Sequence, residues 1–378
     1  MLENNPQEMV RQESRNSQGL ANESVDTPRI QLVILLDTSG SMDGLIDQTR
    51  NQLWQMVNEF SAARKDGVVP VLEIALFEYG NNALAESSGY LRKLSGFTRE
   101  LDAVSEGLFS LTTNGGEEYC GYAIKSAVNN LQWSQSDSDV KAIFIAGNES
   151  FAQGPVDYRE AAKLAARNGI AINTIHAGSH QTGVEDEWET GALLAGGSYM
   201  NIDADQKVVH IVAPQDKKIA ELNAKLNTTY IPYGSKGAEK VQRQVEQDAM
   251  SSNISAGLLA KRAKSKSSAF YSNAGWDLVD ALKEAKIDEV ELTKLDEAEL
   301  PDSMKALSAK ERVEYVRKKT DERNLIKEEI AKQSQLRTEY VAKMKQQQAA
   351  ASPSMGDALT KAVKRQAEQK SFVFEKQE

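Results

Sequence analysis

Between residues 30 and 203, short apolar runs alternate with stretches whose apolar residues recur at helical spacing. The runs IQLVILL (30–36), VLEIALFEY (71–79), VKAIFIA (140–146) and GIAINTIH (169–176) are short, rich in β-branched residues and little interrupted by polar ones. Strands covered on both faces of a parallel sheet read this way, because strict alternation is lost. Residues 90–94 and 197–202 read as shorter strands, the first at a sheet edge. Residues 44–65 place Leu53, Trp54, Val57 and Phe60 on one helical face. Residues 98–108, 123–131, 157–168 and 187–195 read as further helices. This order predicts an α/β fold, a doubly wound, mostly parallel six-stranded sheet over residues 29–205.

The pattern changes after 205. Residues 206–300 read as a mixed, mainly helical extension, with helices over 216–226, 238–270 and 276–285. Residues 301–378 read as a helical C-terminal region. Ser308 and Glu311 form a capping box that opens a helix running to about residue 350. Its apolar stripe is broken. The heptad register through Val313, Val316 and Thr320 next places Arg323 and Lys327 in the seam, so a long regular coiled coil is not supported. An arm or hairpin packed on one side fits better. Residues 346–354 read as a linker and 361–370 as a last short helix. The polar residues 1–28 cannot bury enough surface to fold alone and are expected to be disordered.

Composition narrows the classes. The net charge of −10 argues against generic nucleic-acid binding. Residues 301–378 run the other way, with seventeen Lys and Arg against twelve Asp and Glu. A basic patch at Lys261, Arg262, Lys264 and Lys266 is expected to be a solvated helix face. One cysteine, Cys120, allows no intramolecular disulfide. The three histidines lack metal-ligand spacing, and His176 is read as a polar residue at a strand end. No stretch reaches transmembrane length, and the first twenty residues lack the apolar core of a signal peptide. A cytoplasmic location is therefore expected if that start is genuine, and a periplasmic or secreted one if a signal has been removed.

The chemistry is concentrated where the first strand ends, at Asp37-x-Ser39-x-Ser41. Open α/β sheets bind ligands beyond the carboxyl ends of their strands. Asp37 offers a hard anionic oxygen, Ser39 and Ser41 neutral hydroxyls, a set suited to Mg²⁺ or Mn²⁺. The same residues also suit an ordinary strand-to-helix turn.

DTSGSM after a buried strand resembles the first motif of the von Willebrand factor A (VWA) domain, whose metal-ion-dependent adhesion site it opens. The resemblance covers about residues 29–205, and the whole chain is similar to bacterial VWA proteins with a helical C-terminal extension. It implies one Mg²⁺ or Mn²⁺ site and a protein partner whose acidic residue completes the coordination shell. Two family positions differ. The Gly115-Gly116 pair is followed by Glu117 and Glu118 where Thr is usual, and Gly147 stands where an Asp is usual. Glu117 is the candidate to restore the missing charge, giving Asp37, Ser39, Ser41 and Glu117 as the expected metal ligands. Two readings compete with it: solvated acids at a helix N-terminus, and a degenerate site. A protein-binding module, not an enzyme, is the expected function. The alternative is a non-catalytic VWA subunit working beside a separate AAA+ ATPase of the MoxR or chelatase type, since the chain has no P-loop of its own.

Overall fold

The computed structural model describes residues 27–40, 42–202, 211–347 and 355–375. Most of the polar segment 1–28, Ser41, the domain boundary at 205 and most of the linker 346–354 lie outside the described residues.

The centre is a six-stranded sheet in the order β4-β3-β1-β5-β6-β7. Its strands are β1 (Arg29–Asp37), β3 (Val71–Tyr79), β4 (Leu91–Thr98), β5 (Val140–Gly147), β6 (Ala171–Ala177) and β7 (Tyr199–Ile202); β2 (Ala63–Arg64) lies apart from it. All neighbours are parallel except the edge strand β4, which runs antiparallel to β3. The sheet is thus mostly parallel, and the chain leaves β1 in both directions. That makes the carboxyl end of β1 a topological switch point.

Period-two alternation divides the strands between two apolar layers. On one face Leu32, Ile34, Leu36, Ile74 and Phe144 pack beneath Leu53, Trp54 and Val57 of α1 (Asp43–Phe60). On the other Val33, Leu35, Phe77 and Ile145 meet Ile124 and Ala127 of α3 (Cys120–Asn130) and Ala161 and Ala165 of α4 (Tyr158–Arg167). The short helices α2 (Leu101–Ser110), α5 (His180–Glu185) and α6 (Trp188–Leu193) close the remaining gaps.

Beyond the sheet come α7 (Asp216–Asn227), α8 (Gly237–Ile254), α9 (Ala256–Ser267), α10 (Leu278–Lys283), α11 (Glu289–Lys294), α12 (Asp302–Lys305) and the long α13 (Ala309–Gln347). The helical stretch expected over 238–270 is two helices. Ser255 is fully extended between them, and its side chain accepts from the Leu258 amide to cap the second. The capping box at Ser308 and Glu311 is formed.

The basic patch is not a solvated face. Arg262 and Lys266 are fully buried. Arg262 bonds Asp102 of α2 and Asp248 of α8, both at 2.6 Å, and its guanidinium lies 4.7 Å from the Trp54 ring centre. Lys266 bonds Asp248 at 2.9 Å. Arg323, which breaks the heptad seam of α13, is buried for the same kind of reason. Arg323 sits between Asp277 (2.6 Å) and Asp280 (3.0 Å), over the Tyr230 ring. Burying such cations is tolerated only with paired acids and satisfied donors.

The last described elements return to the sheet. In α14 (Met355–Gln369), Val363 and Ala367 are buried in the same apolar layer as α1. Gln366 and Asn173 of β6 exchange side-chain hydrogen bonds. Phe372 is buried, and β8 (Val373–Phe374) pairs antiparallel with β2. Residues 355–375 therefore complete the sheet domain from beyond the helical region.

Candidate metal and partner site

β1 delivers Asp37 to the switch point fully buried. The Ser39 amide donates to Asp37 Oδ1 at 2.7 Å, which fixes one carboxylate oxygen in the turn. The other, Oδ2, is buried and has no hydrogen-bond partner. Thr38 faces away, its hydroxyl donating to Glu78. Ser39 is nearly buried and Gly40 is exposed. Ser41, the third residue expected here from the sequence, lies outside the described residues.

The loop 111–119 is laid against this turn by its backbone. The Asn114 amide donates to Thr38 O, and the Asn82 amide to Gly115 O. Gly116 passes so close to β3 that a Cβ there would stand 2.2 Å from Gly80 O. This approach decides which acid turns inward. Glu117 is exposed; Glu118 is buried. The glutamate brought to Asp37 is thus Glu118, one residue on from the one the sequence favoured. Its amide donates to Gln153 Oε1, and its Oε2 accepts from the Glu149 amide at 3.3 Å. Thr112 is exposed and Thr113 half-buried. The Glu149 side chain is exposed and only its amide engages the site.

Gly147 ends β5 beside Asp37. A Cβ at this position would meet Tyr79 Oη at 2.6 Å, Asp37 Oδ2 at 3.1 Å and Trp188 Cη2 at 3.1 Å. Tyr79 is held there by donating to Ala146 O at 3.0 Å and accepting from the Cys120 thiol. The space of the usual aspartate is filled by aromatic side chains. His176, read as a strand-end polar residue, is buried; its ring nitrogens meet the carbonyls of Asn148 and Ser179.

Two buried acids in contact shift one another. Burial, then the charge of Glu118, pushes the Asp37 carboxyl well above its ordinary value. Burial also raises Glu118. A divalent cation would relieve both effects, and the oxygens gathered here are hard ones: Asp37 Oδ2, Glu118 and the Ser39 hydroxyl, which is engaged with the acids. The residues therefore fit Mg²⁺ or Mn²⁺. Among the described residues no group of three or more His, Cys, Asp or Glu could hold a metal. Two carboxylates with serine hydroxyls lie within what Mg²⁺ sites use.

The family model of the von Willebrand factor type A domain matches residues 31–188. This region is a VWA domain. Among curated proteins none matches the chain. Solved structures similar to it include BatB from Bacteroides thetaiotaomicron, 16% identical, covering 46% of this chain and 90% of that one at a TM-score of 0.35. The SpRpn10 VWA domain is 16% identical over 48% of this chain and 100% of its own, TM-score 0.33. The pilus adhesin SpaC from Lactobacillus rhamnosus GG is 14% identical over 48% of this chain and 28% of its own, TM-score 0.35. VWA domains are often used in protein–protein interaction and adhesion. No helix among the described residues is long and apolar enough to cross a membrane.

Proposed function

We propose that this chain is a protein-binding module whose VWA domain holds one Mg²⁺ or Mn²⁺ through Asp37, Ser39, Ser41 and Glu118. The observation that carries this reading is Asp37 Oδ2, a buried oxygen without a hydrogen-bond partner beside a second buried acid. An unpaired buried carboxylate oxygen is costly, and structures keep one where a ligand will meet it. When bound, such an ion offers an exchangeable position to an acidic side chain of the partner. The chain's own part is to hold the acids and define the mouth. Ser39 N–H orients Asp37, Glu149 N–H orients Glu118, and the exposed Gly40 and Gly115 leave the approach free of side chains. The role is recognition, not catalysis.

Calorimetric titration of Mg²⁺ and Mn²⁺ into the wild type, Glu118→Gln and Glu117→Gln tests the ligand set. Glu118→Gln should weaken binding at least tenfold and Glu117→Gln should leave it unchanged. Equal affinities in all three would remove Glu118 from the site. Partner capture with Mg²⁺ and with EDTA then tests the mode; recovery unaffected by EDTA would sink it.

A further inference from the structure

The fully buried cations of the helical region come with their own acids; the half-buried Lys327 does not. Arg262 and Lys266 share Asp248, and Arg262 adds Asp102; Arg323 has Asp277 and Asp280. Lys327 lies one helical turn beyond Arg323 on α13, half-buried. Among the described residues its ammonium makes no hydrogen bond or ion pair. It lines a surface cavity of about 380 Å³ where the ends of α9 and α10 meet α13. The other lining residues are Ser267, Ser268 and Ala269 from the end of α9, Lys283 from α10, and Asn324 and Glu328 from α13. Lys283 is exposed and likewise makes no hydrogen bond or ion pair among the described residues. Glu328 is the one acid in the lining and is exposed.

Apart from the exposed Glu328, which makes no ion pair with it, the charges around Lys327 are engaged elsewhere or have the wrong sign. Asp277 and Asp280 are engaged with Arg323. Asp280 also accepts from the Asn273 amide. Arg323 and Lys283 repel the Lys327 ammonium. Burial, reinforced by those two cations, pushes it down to about 8 in spite of Asp280 and Asp277. A half-buried cation without a counter-charge is destabilising in the free protein. An anion in the cavity would remove that cost. The lining is suited to one: two ammonium groups and the Asn324 amide are able to donate, while the Ser267 and Ser268 hydroxyls already donate to Lys264 O and Ser265 O.

We propose that Lys327 and Lys283 form a phosphoryl-binding site, in which the cavity between α9, α10 and α13 takes inorganic phosphate or a small phosphate monoester. The site stands apart from the VWA metal site and does not depend on it. Lysine here serves as a point charge for phosphate oxygens, with the Asn324 amide orienting the tetrahedron. The volume exceeds that of phosphate alone, which leaves room for the esterified group.

The test is calorimetry on the full chain with inorganic phosphate in one arm and glycerol phosphate in another, at constant ionic strength set with chloride. Wild type, Lys327→Gln and Lys283→Gln are compared, with Lys310→Gln as a remote exposed control. Saturable binding is expected in the wild type. It should weaken at least tenfold in both cavity variants and stay unchanged in the control. Tighter binding of the ester assigns the site to phosphate monoesters; tighter binding of phosphate assigns it to the free anion. At pH 8 binding should also take up protons, seen as an enthalpy that depends on the buffer's ionisation heat. Absence of saturable binding in both arms overturns the proposal, as does unchanged affinity in Lys327→Gln. Lys283→Gln lies on the surface, so its result does not hinge on the folding of the other variant.

Discussion

The Tyr79 hydroxyl lies 2.6 Å from the point where a Cβ on residue 147 would stand. Gly147 is thus fitted to its surroundings, and the family's aspartate cannot simply be put back. Gly147→Ala should cost about 1–3 kcal/mol by overpacking. Because the nearest clash is with an oxygen, Tyr79→Phe in the same chain should recover part of that cost. Urea unfolding of both single variants and the double variant gives the coupling directly. Strict additivity would show that the crowding comes from elsewhere, since residues in contact couple by about 0.5–3 kcal/mol.

Asp37 and Glu118 make a prediction about pH. Both acids are raised in the folded state, Asp37 strongly. Above the ordinary carboxylate range, and up to the raised values, the metal-free fold holds protons that the unfolded chain has released. Stability of the metal-free protein therefore falls as pH rises through that range. A divalent ion competes with those protons, so its stabilising effect should grow with pH. At a hundredfold excess over its Kd near neutrality it should reach about 2.7 kcal/mol. The check is thermal unfolding with and without Mg²⁺ at pH 5 and pH 8. A larger shift at pH 5 would contradict the assignment.

Asp248 makes the opposite prediction. Burial pushes its carboxyl up, but the charges of Lys266 and Arg262 outweigh burial and hold it well below the usual range. Its contribution is complete above about pH 4 and is lost as pH falls below that. Asp248→Asn leaves Lys266 without an acid and Arg262 with Asp102 alone, at a cost of about 3–5 kcal/mol. Denaturant midpoints measured from pH 2 to pH 6 should converge between wild type and variant at the acid end. A constant gap across that range would show that folding does not lower the Asp248 carboxyl.

What the sequence disclosed and what it withheld divide along physical lines. The buried strands announce themselves because both faces of a parallel sheet demand apolar residues, so β1, β3, β5 and β6 could be placed from composition alone. Asp37 could be placed because it ends such a strand. Glu118 could not be told from Glu117. The choice depends on how closely Gly116 passes Gly80, a tertiary contact that neighbouring residues do not encode. Arg262 and Lys266 look like surface residues for the same reason. Their partner acids, Asp102 and Asp248, lie on other helices. One signal was available: Arg323 and Lys327 fall on the same stripe of α13 as Val316, which is where buried residues belong.

The return of α14 to the sheet, and of β8 to β2, sets the order in which the molecule can be finished during synthesis. The strands of the VWA domain leave the ribosome first, yet part of one face stays open until residues 355–375 follow. Until then β5 and β6 lack the contacts that α14 later supplies on that face. Contacts this distant in sequence are slow to form. During that interval the nascent chain presents an apolar sheet face, a surface that chaperones recognise and that invites aggregation.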